Sequence, residues 1–287
     1  NINNNYILDF KITDSKTFHF DNVLIKKISS LVGSRNTKKI NALDLELGMI
    51  YKDLAIDFLG SNKIDLISTH GQTLRHQDCV ESLQIGHPKY LSLHFNVPII
   101  YNFRPKDILL GGTGAPFVPY LDWLIFKESK KNVITINLGG ISNITYIPCS
   151  GNRKDVVGFD TGPGMCYIDE FVKYYIEDSF DINAKYSQRG IVDDILLNEL
   201  LKNKFVNLEP PKSTTREDFS KRKLLKIASK YRHLNKFDFL RTLVKFTADS
   251  ISLNINNYIG KDLYDRIYIS GGGAKHRILV EDLKENL

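Results

Sequence analysis

Three segments of the chain share one design: a short apolar run that reads as a strand, a glycine-rich turn, then polar or helical sequence. They are Leu138-Gly139-Gly140-Ile141-Ser142-Asn143, Phe159-Asp160-Thr161-Gly162-Pro163-Gly164 and Ser270-Gly271-Gly272-Gly273-Ala274. Glycines let a backbone come close to a ligand, and free N–H groups at the start of a helix favour phosphate. A single Gly-Gly is most often a turn or a helix cap. Three of them, each after a strand, point to a phosphate-binding enzyme. None is GxxxxGK-S/T and none is GxGxxG in a βαβ setting, which disfavours a P-loop ATPase and a dehydrogenase.

The remaining patterns alternate between strand and helix, so the expected class is α/β. Tyr6 to Ile12 alternates as a strand does. Val23 to Leu31 and Ile40 to Leu59 carry helical spacing, with Leu43, Leu47, Ile50, Leu54 and Phe58 on one face. Ile64 to Thr69 and Val97 to Asn102 read as buried strands running into polar loops. Val118 to Phe126 reads as a helix. Asn132 to Ile147 reads as a hairpin turning at Gly139-Gly140 and opening a second lobe. Val156 to Phe159 reads as a short strand ending at Asp160, followed by a helix from Met165 to about Glu177. Helices are expected over Ile191 to Leu201 and Phe239 to Tyr258, the latter capped by Gly260. Arg266 to Ser270 is a strand, and Gly271 to Gly273 opens a final helix. The expected division is a first lobe over 1–125 and a second over 126–287.

Composition narrows the function classes. The 287 residues include 39 Lys+Arg against 33 Asp+Glu, a net charge of +6 that suits an anionic small substrate. Lys130-Lys131 and Lys221-Arg222-Lys223 are short runs of the kind found on solvated helix faces, so nucleic acid is not an expected partner. No stretch approaches the ~18 apolar residues of a membrane helix, and the Asn-rich start lacks a signal-peptide pattern. Cys79, Cys149 and Cys166 form no CxxC pair, as expected for free thiols in a reducing cytoplasm.

Among individual residues, Asp160 is the leading catalytic candidate. A carboxylate beside a Gly-Pro-Gly turn can take a proton from water or a hydroxyl; the alternative is an Asp capping the next helix. Arg104 suits a bidentate clamp on a carboxylate or phosphate, or a loop-holding salt bridge with Asp107. His70, Gln72 and Thr73 offer hydrogen bonds suited to a sugar, although a lone His is more often structural. His76, His87 and His94 have no metal-site spacing. Lys212-Ser213-Thr214 with Arg216-Glu217 reads either as a phosphate-contacting loop or as a helix start capped by Ser213 or Thr214.

Taken together, these motifs resemble the anhydro-N-acetylmuramic acid kinase family. The matching stretches are THGQT (69–73), QIG (84–86), FRPKD (103–107), GGTGAPFVP (111–119), NLGGISNITY (137–146), GFDTGPG (158–164), PPKST.RE (210–217) and SGGGA (270–274). The resemblance implies a two-lobed actin-like ATPase (ribonuclease H-like) fold, mixed sheets flanked by helices, with ATP and sugar meeting in the cleft. It implies a cytoplasmic, ATP- and Mg²⁺-dependent step of peptidoglycan recycling. There, 1,6-anhydro-N-acetylmuramic acid, ATP and water give N-acetylmuramic acid 6-phosphate and ADP. By this resemblance Asp160 activates the water. His70, Gln72, Arg104, Asp107 and Gly114 face the sugar. Gly139, Gly140, Asn143, Thr161, Gly162, Gly164, Gly271, Gly272 and Gly273 face the nucleotide. A homodimer is implied as well. Relative to the family pattern, the chain is expected to be truncated at both termini, before its start by a GTSxDG-type phosphate loop. His87, Thr113 and Met165 stand where Asp, Gln and Asn are usual. A catalytically impaired sugar- or nucleotide-binding relative, or another sugar kinase of the superfamily, is the competing expectation.

Overall fold

The computed structural model describes residues 11–77, 79–149, 151–214 and 218–287. The described residues divide into two compact units, 11–117 and 118–287. Most of the strand expected over Tyr6 to Ile12 lies outside the described residues, as do Arg216 and Glu217. Among the described residues no helix is long and apolar enough to cross a membrane.

The first unit opens with helices α1 (Asn22–Leu31) and α2 (Thr37–Leu59). Each is started by a side-chain cap: Asp21 accepts from the Leu24 N–H and Asn36 from the Lys39 N–H, satisfying amides the helix leaves unpaired. Next come β1 (Ile67–Ser68), the antiparallel pair β2 (Gln72–Gln77) and β3 (Glu81–Ile85), α3 (Lys89–Phe95), β4 (Ile99–Ile100) and α4 (Phe103–Leu109). Leu24, Ile28 and Leu31 of α1, spaced for one helix face, meet Ile40, Leu43 and Leu47 of α2 and Leu74 and Ile85 of the hairpin. The expected apolar face of α2 is buried only in its first half. The strands read over Ile64 to Thr69 and Val97 to Asn102 shrink to the two-residue parallel pair β1–β4, and Leu66 is 50% exposed. Their apolar runs overstated burial: among the described residues, Ser68 and Ile100 on one face of this small sheet are exposed.

The second unit begins with α5 (Val118–Phe126), followed by β5 (Val133–Leu138), β6 (Ile141–Ile147) and β7 (Val157–Pro163). Helices α6 (Cys166–Phe171), α7 (Asp194–Leu201), α8 (Lys221–Lys230) and α9 (Lys236–Tyr258) follow, then β8 (Arg266–Ser270) and α10 (Arg277–Asn286). The four strands form a mixed sheet in the order β7-β6-β5-β8, with β5 and β8 parallel and the other pairs antiparallel. Residues of β5 alternate between its faces. Ile134, Ile136 and Leu138 join the main core with Leu240, Leu243 and Val244 of α9, while Val133 packs with Trp123 of α5. Each fully buried Leu or Ile of this kind contributes roughly 1.5–3 kcal/mol. From α5, Asp122 Oδ2 accepts the hydroxyls of Thr135 and Thr145, which ties that helix to the sheet of this unit.

Three further expectations need correction. β7 does not stop at Phe159 but runs through Pro163, because a register irregularity lets it keep pairing with β6 beyond Asp160. The helix after Met165 is α-helical only to Phe171 and continues as a π-turn over Val172–Ile176. The glycines after β8 enter a 3₁₀ turn, Gly272–Lys275, before α10 begins.

Candidate functional site

The glycine segments meet at one end of the second unit's sheet. Asn137 of β5 pairs with Ser270 of β8, and Ile141 of β6 pairs with Pro163 of β7, so the turns at 139–140, 164 and 271–273 emerge at the same edge. The first two are bonded together. The Gly164 N–H donates to Gly140 O at 3.0 Å, and the Met165 N–H to Gly139 O at 2.8 Å. A Cβ on Gly164 would lie 2.2 Å from Gly139 O, which leaves no room for a side chain. Gly271 has φ +85°, a conformation that favours glycine, and Gly272 faces open space. Gly162 accepts the Ser142 hydroxyl at its carbonyl, and Gly273 is buried. Thr161, expected to face a nucleotide, instead points inward. It is fully buried with its Oγ1 2.7 Å from Ser142 Oγ, because the irregularity in β7 turns it into the sheet.

Asp160 lies within β7, opposite the half-buried Asn143 of β6. It does not cap the following helix, whose start at Met165 has no side-chain cap. Instead a segment 52 to 54 positions away grips it. The Asp160 N–H donates to Lys212 O at 3.2 Å, and the Thr214 N–H donates to Asp160 Oδ2 at 2.8 Å. Ser213 and Thr214 cap no helix; Ser220 occupies the cap position before α8, and Thr214 Oγ1 donates to Asp218. Lys212 does not present its ammonium as a phosphate contact, since Nζ donates to the carbonyls of Phe205 and Val206. Its part in gripping Asp160 was missed in the sequence, where Lys212-Ser213-Thr214 read as a phosphate-contacting loop or a capped helix start.

In the first unit, four of the expected residues form one hydrogen-bonded chain. Arg104 Nε donates to His70 Nε2 at 2.8 Å and Arg104 Nη1 to Gly114 O at 3.0 Å. The Gly114 N–H donates to Asp107 Oδ2 at 2.8 Å. His70 therefore accepts at Nε2, which puts its proton on Nδ1, where Gly71 O accepts at 2.9 Å. Asp107 holds the loop through Gly114 rather than by a salt bridge to Arg104. Burial lowers the Arg104 guanidinium from its usual value, and the Phe117 ring lies 5.5 Å from it. Gln72 is half-buried, with Nε2 3.4 Å from Thr73 O, and stands apart from this chain of bonds.

Beside His70 a cavity of ≈ 280 Å³ is lined by Thr69, Gly71, Gln84, His87 and Asn102. Asp44 of α2, which sequence reading missed, fixes its floor by accepting from the Gly86 N–H at 2.8 Å. His87 Nδ1 accepts from the Lys89 N–H at 3.1 Å, so it serves as an acceptor at the start of α3. Thr113 is exposed and Met165 packs toward Gly273.

Fold and sites thus describe a mixed α/β chain whose sheet ends in glycine turns beside a gripped carboxylate. The family model for anhydro-N-acetylmuramic acid kinase matches residues 9–287. The anhydro-N-acetylmuramic acid kinase of Clostridioides difficile (strain 630) is 40% identical over 78% of this chain and 60% of its own length. That of Bacillus cereus (strain G9842) is 33% identical over 89% and 70%, and that of Francisella tularensis subsp. novicida (strain U112) is 34% identical over 97% and 77%. The chain belongs to the anhydro-N-acetylmuramic acid kinase family. It spans less than two thirds of the C. difficile relative's length. Among solved structures, a ROK family protein from Streptococcus pneumoniae TIGR4 in complex with sucrose aligns over 83% of this chain and 73% of its own. The identity is 8% and the TM-score 0.31, too low to carry a fold argument.

Proposed function

We propose that the protein is an ATP-dependent kinase that opens the 1,6-anhydro ring of anhydro-N-acetylmuramic acid and phosphorylates O6, on an actin-like ATPase fold. The observation that carries this reading is Asp160, held in place by the Thr214 amide beside the glycine edge of the sheet. In the proposed step, Asp160 takes a proton from a water that attacks the anomeric carbon. The C1–O6 bond breaks, O6 takes the γ-phosphoryl group, and ADP leaves. The turns at 139–140 and 271–273 suit the nucleotide: open space at Gly272 leaves main chain, not a side chain, facing a triphosphate, and the close approach of Gly164 to Gly139 holds the first turn in place. Among the described residues no group of three His, Cys, Asp or Glu could hold a metal ion. Mg²⁺ would come with the phosphates and supply charge neutralisation there; no step is assigned to a protein-held ion. The Arg104–His70 pair suits an acidic amino sugar, with the guanidinium offered to a carboxylate and the imidazole to a hydroxyl. The half-buried cavity beside His70 supplies the concavity.

The test uses the complete gene product with ATP, Mg²⁺ and a panel of amino sugars, following ADP release. ADP release that depends on the anhydro sugar supports the reading. Release with an ordinary hexose but not the anhydro sugar would replace it with another sugar kinase. Binding of the sugar without ADP release would leave a non-catalytic relative.

A further inference from the structure

The segment that grips Asp160 carries a buried charge to which the kinase reading gives no task. Lys212 is 9% exposed. Its Nζ donates to Phe205 O at 3.1 Å and to Val206 O at 3.0 Å. The rings of Phe159, Phe205 and Tyr258 lie 5.9, 5.1 and 5.6 Å away, within cation–π range. The carbonyl of the same residue accepts the Asp160 N–H, and the amide two residues later donates to the Asp160 carboxylate. One short segment therefore holds Asp160 by its backbone and by its side chain, and the ammonium anchors that segment.

A cation buried among rings is costly unless an opposite charge compensates it. Burial pushes the Lys212 ammonium down to about 8, and the Asp160 carboxylate pulls it the other way. An uncharged side chain of the same length would fill this cage at lower cost, so packing alone does not account for the charge.

We propose that Lys212 is a positioning residue for Asp160, a buried cation that anchors the segment carrying the Thr214 amide and balances the carboxylate it holds. The inference rests on Asp160 acting as the base. Among the described residues, the other charged or titratable groups facing this clamp are few. Asp218 accepts from Thr214 Oγ1 and pairs with Lys223 at 3.6 Å, and Tyr258 faces it from α9.

The experiment follows the Asp160 carboxyl carbon by ¹³C NMR through a pH titration of the complete gene product, assigned by the signal lost in Asp160→Asn. The pH profile of kcat/KM is recorded alongside. In Lys212→Met both the Asp160 midpoint and the acid limb of the profile should rise by about one pH unit. Lys212→Arg, which keeps the charge, should stay near the wild type. An unmoved midpoint in folded Lys212→Met overturns the proposal, and so does Lys212→Arg behaving like Lys212→Met. If Lys212→Met does not fold, the wild type decides: a second inflection of the Asp160 signal near pH 8, where Lys212 loses its proton, is expected, and its absence overturns the proposal. The NMR readout needs no turnover. An inactive wild type would remove the kinase reading, while an active one with an uncoupled Asp160 would remove only the role of Lys212.

Discussion

The clamp around Asp160 and the chain of bonds around Arg104 differ in one respect: Arg104 divides its bonds between the Gly114 carbonyl and the side chain of His70, while the loop at 212–214 meets Asp160 with main-chain groups. Asp160 sits in a strand of a large sheet, and a loop lying against that strand binds it through main-chain amides and carbonyls. Arg104 sits on the short helix α4 of a small unit, and a side chain, the exposed His70, takes its Nε–H. Main-chain contacts survive most side-chain substitutions and fix position tightly. A side-chain pair at the surface can rearrange to fit a ligand. The contrast suits a proton acceptor that has to be placed to a fraction of an ångström and a recognition group that adapts.

Asp160→Asn keeps the acceptor at Oδ and removes the base, so turnover should fall by about 10³-fold with the melting temperature little changed; sugar-dependent ADP release and a thermal melt check both. Near-normal turnover would leave the clamp as architecture only. Gly164→Val puts side-chain atoms against the carbonyl of Gly139, and the structure should lose about 3 kcal/mol or more in a urea titration. An unaffected midpoint would mean that the glycine edge is looser than its bonds indicate. Arg104→Ala should raise the KM for the sugar by roughly 10- to 100-fold, the scale of a charge-assisted hydrogen bond, while the KM for ATP stays within about twofold. Equal changes in both would break the division of labour between the two regions.

The smallest effect is one of pH. The Lys212 ammonium is lowered to about 8 by burial, so between there and the ordinary lysine range the unfolded chain binds the extra proton. Stability from this group is therefore lost below about pH 8 and regained as pH rises. The melting temperature of the wild type relative to Lys212→Met should shift in the wild type's favour between pH 7 and pH 10. A constant difference would place the Lys212 ammonium outside the buried cage.

The β5–β6 hairpin, α9 and β8 were legible in the sequence because their patterns are local: period-two alternation, helical spacing and a glycine pair at the turn. The reach of β7 past Asp160 was not, since Gly162 and Pro163 are of types depleted in strands and pairing with β6 holds them extended. The glycine motifs marked the edge of the sheet, but their meeting depends on strand order, which no single motif encodes. His70, Arg104, Asp107 and Gly114 were each picked out; the partner choice was not, and Asp107 bonds the Gly114 amide instead of Arg104. Thr161 matched the motif yet faces inward, and Lys212, expected in a phosphate-contacting loop or a capped helix start, is caged. In both cases the direction of the side chain was set by contacts distant in sequence.

The most direct measurement is the mass of the sugar product. The complete gene product is incubated with ATP, Mg²⁺ and 1,6-anhydro-N-acetylmuramic acid, and product and ADP are quantified together. The account predicts a product that has gained one water and one phosphoryl group, with one ADP formed per molecule. A phosphorylated product that keeps the anhydro ring, or ADP formed without any change in the sugar, would contradict it.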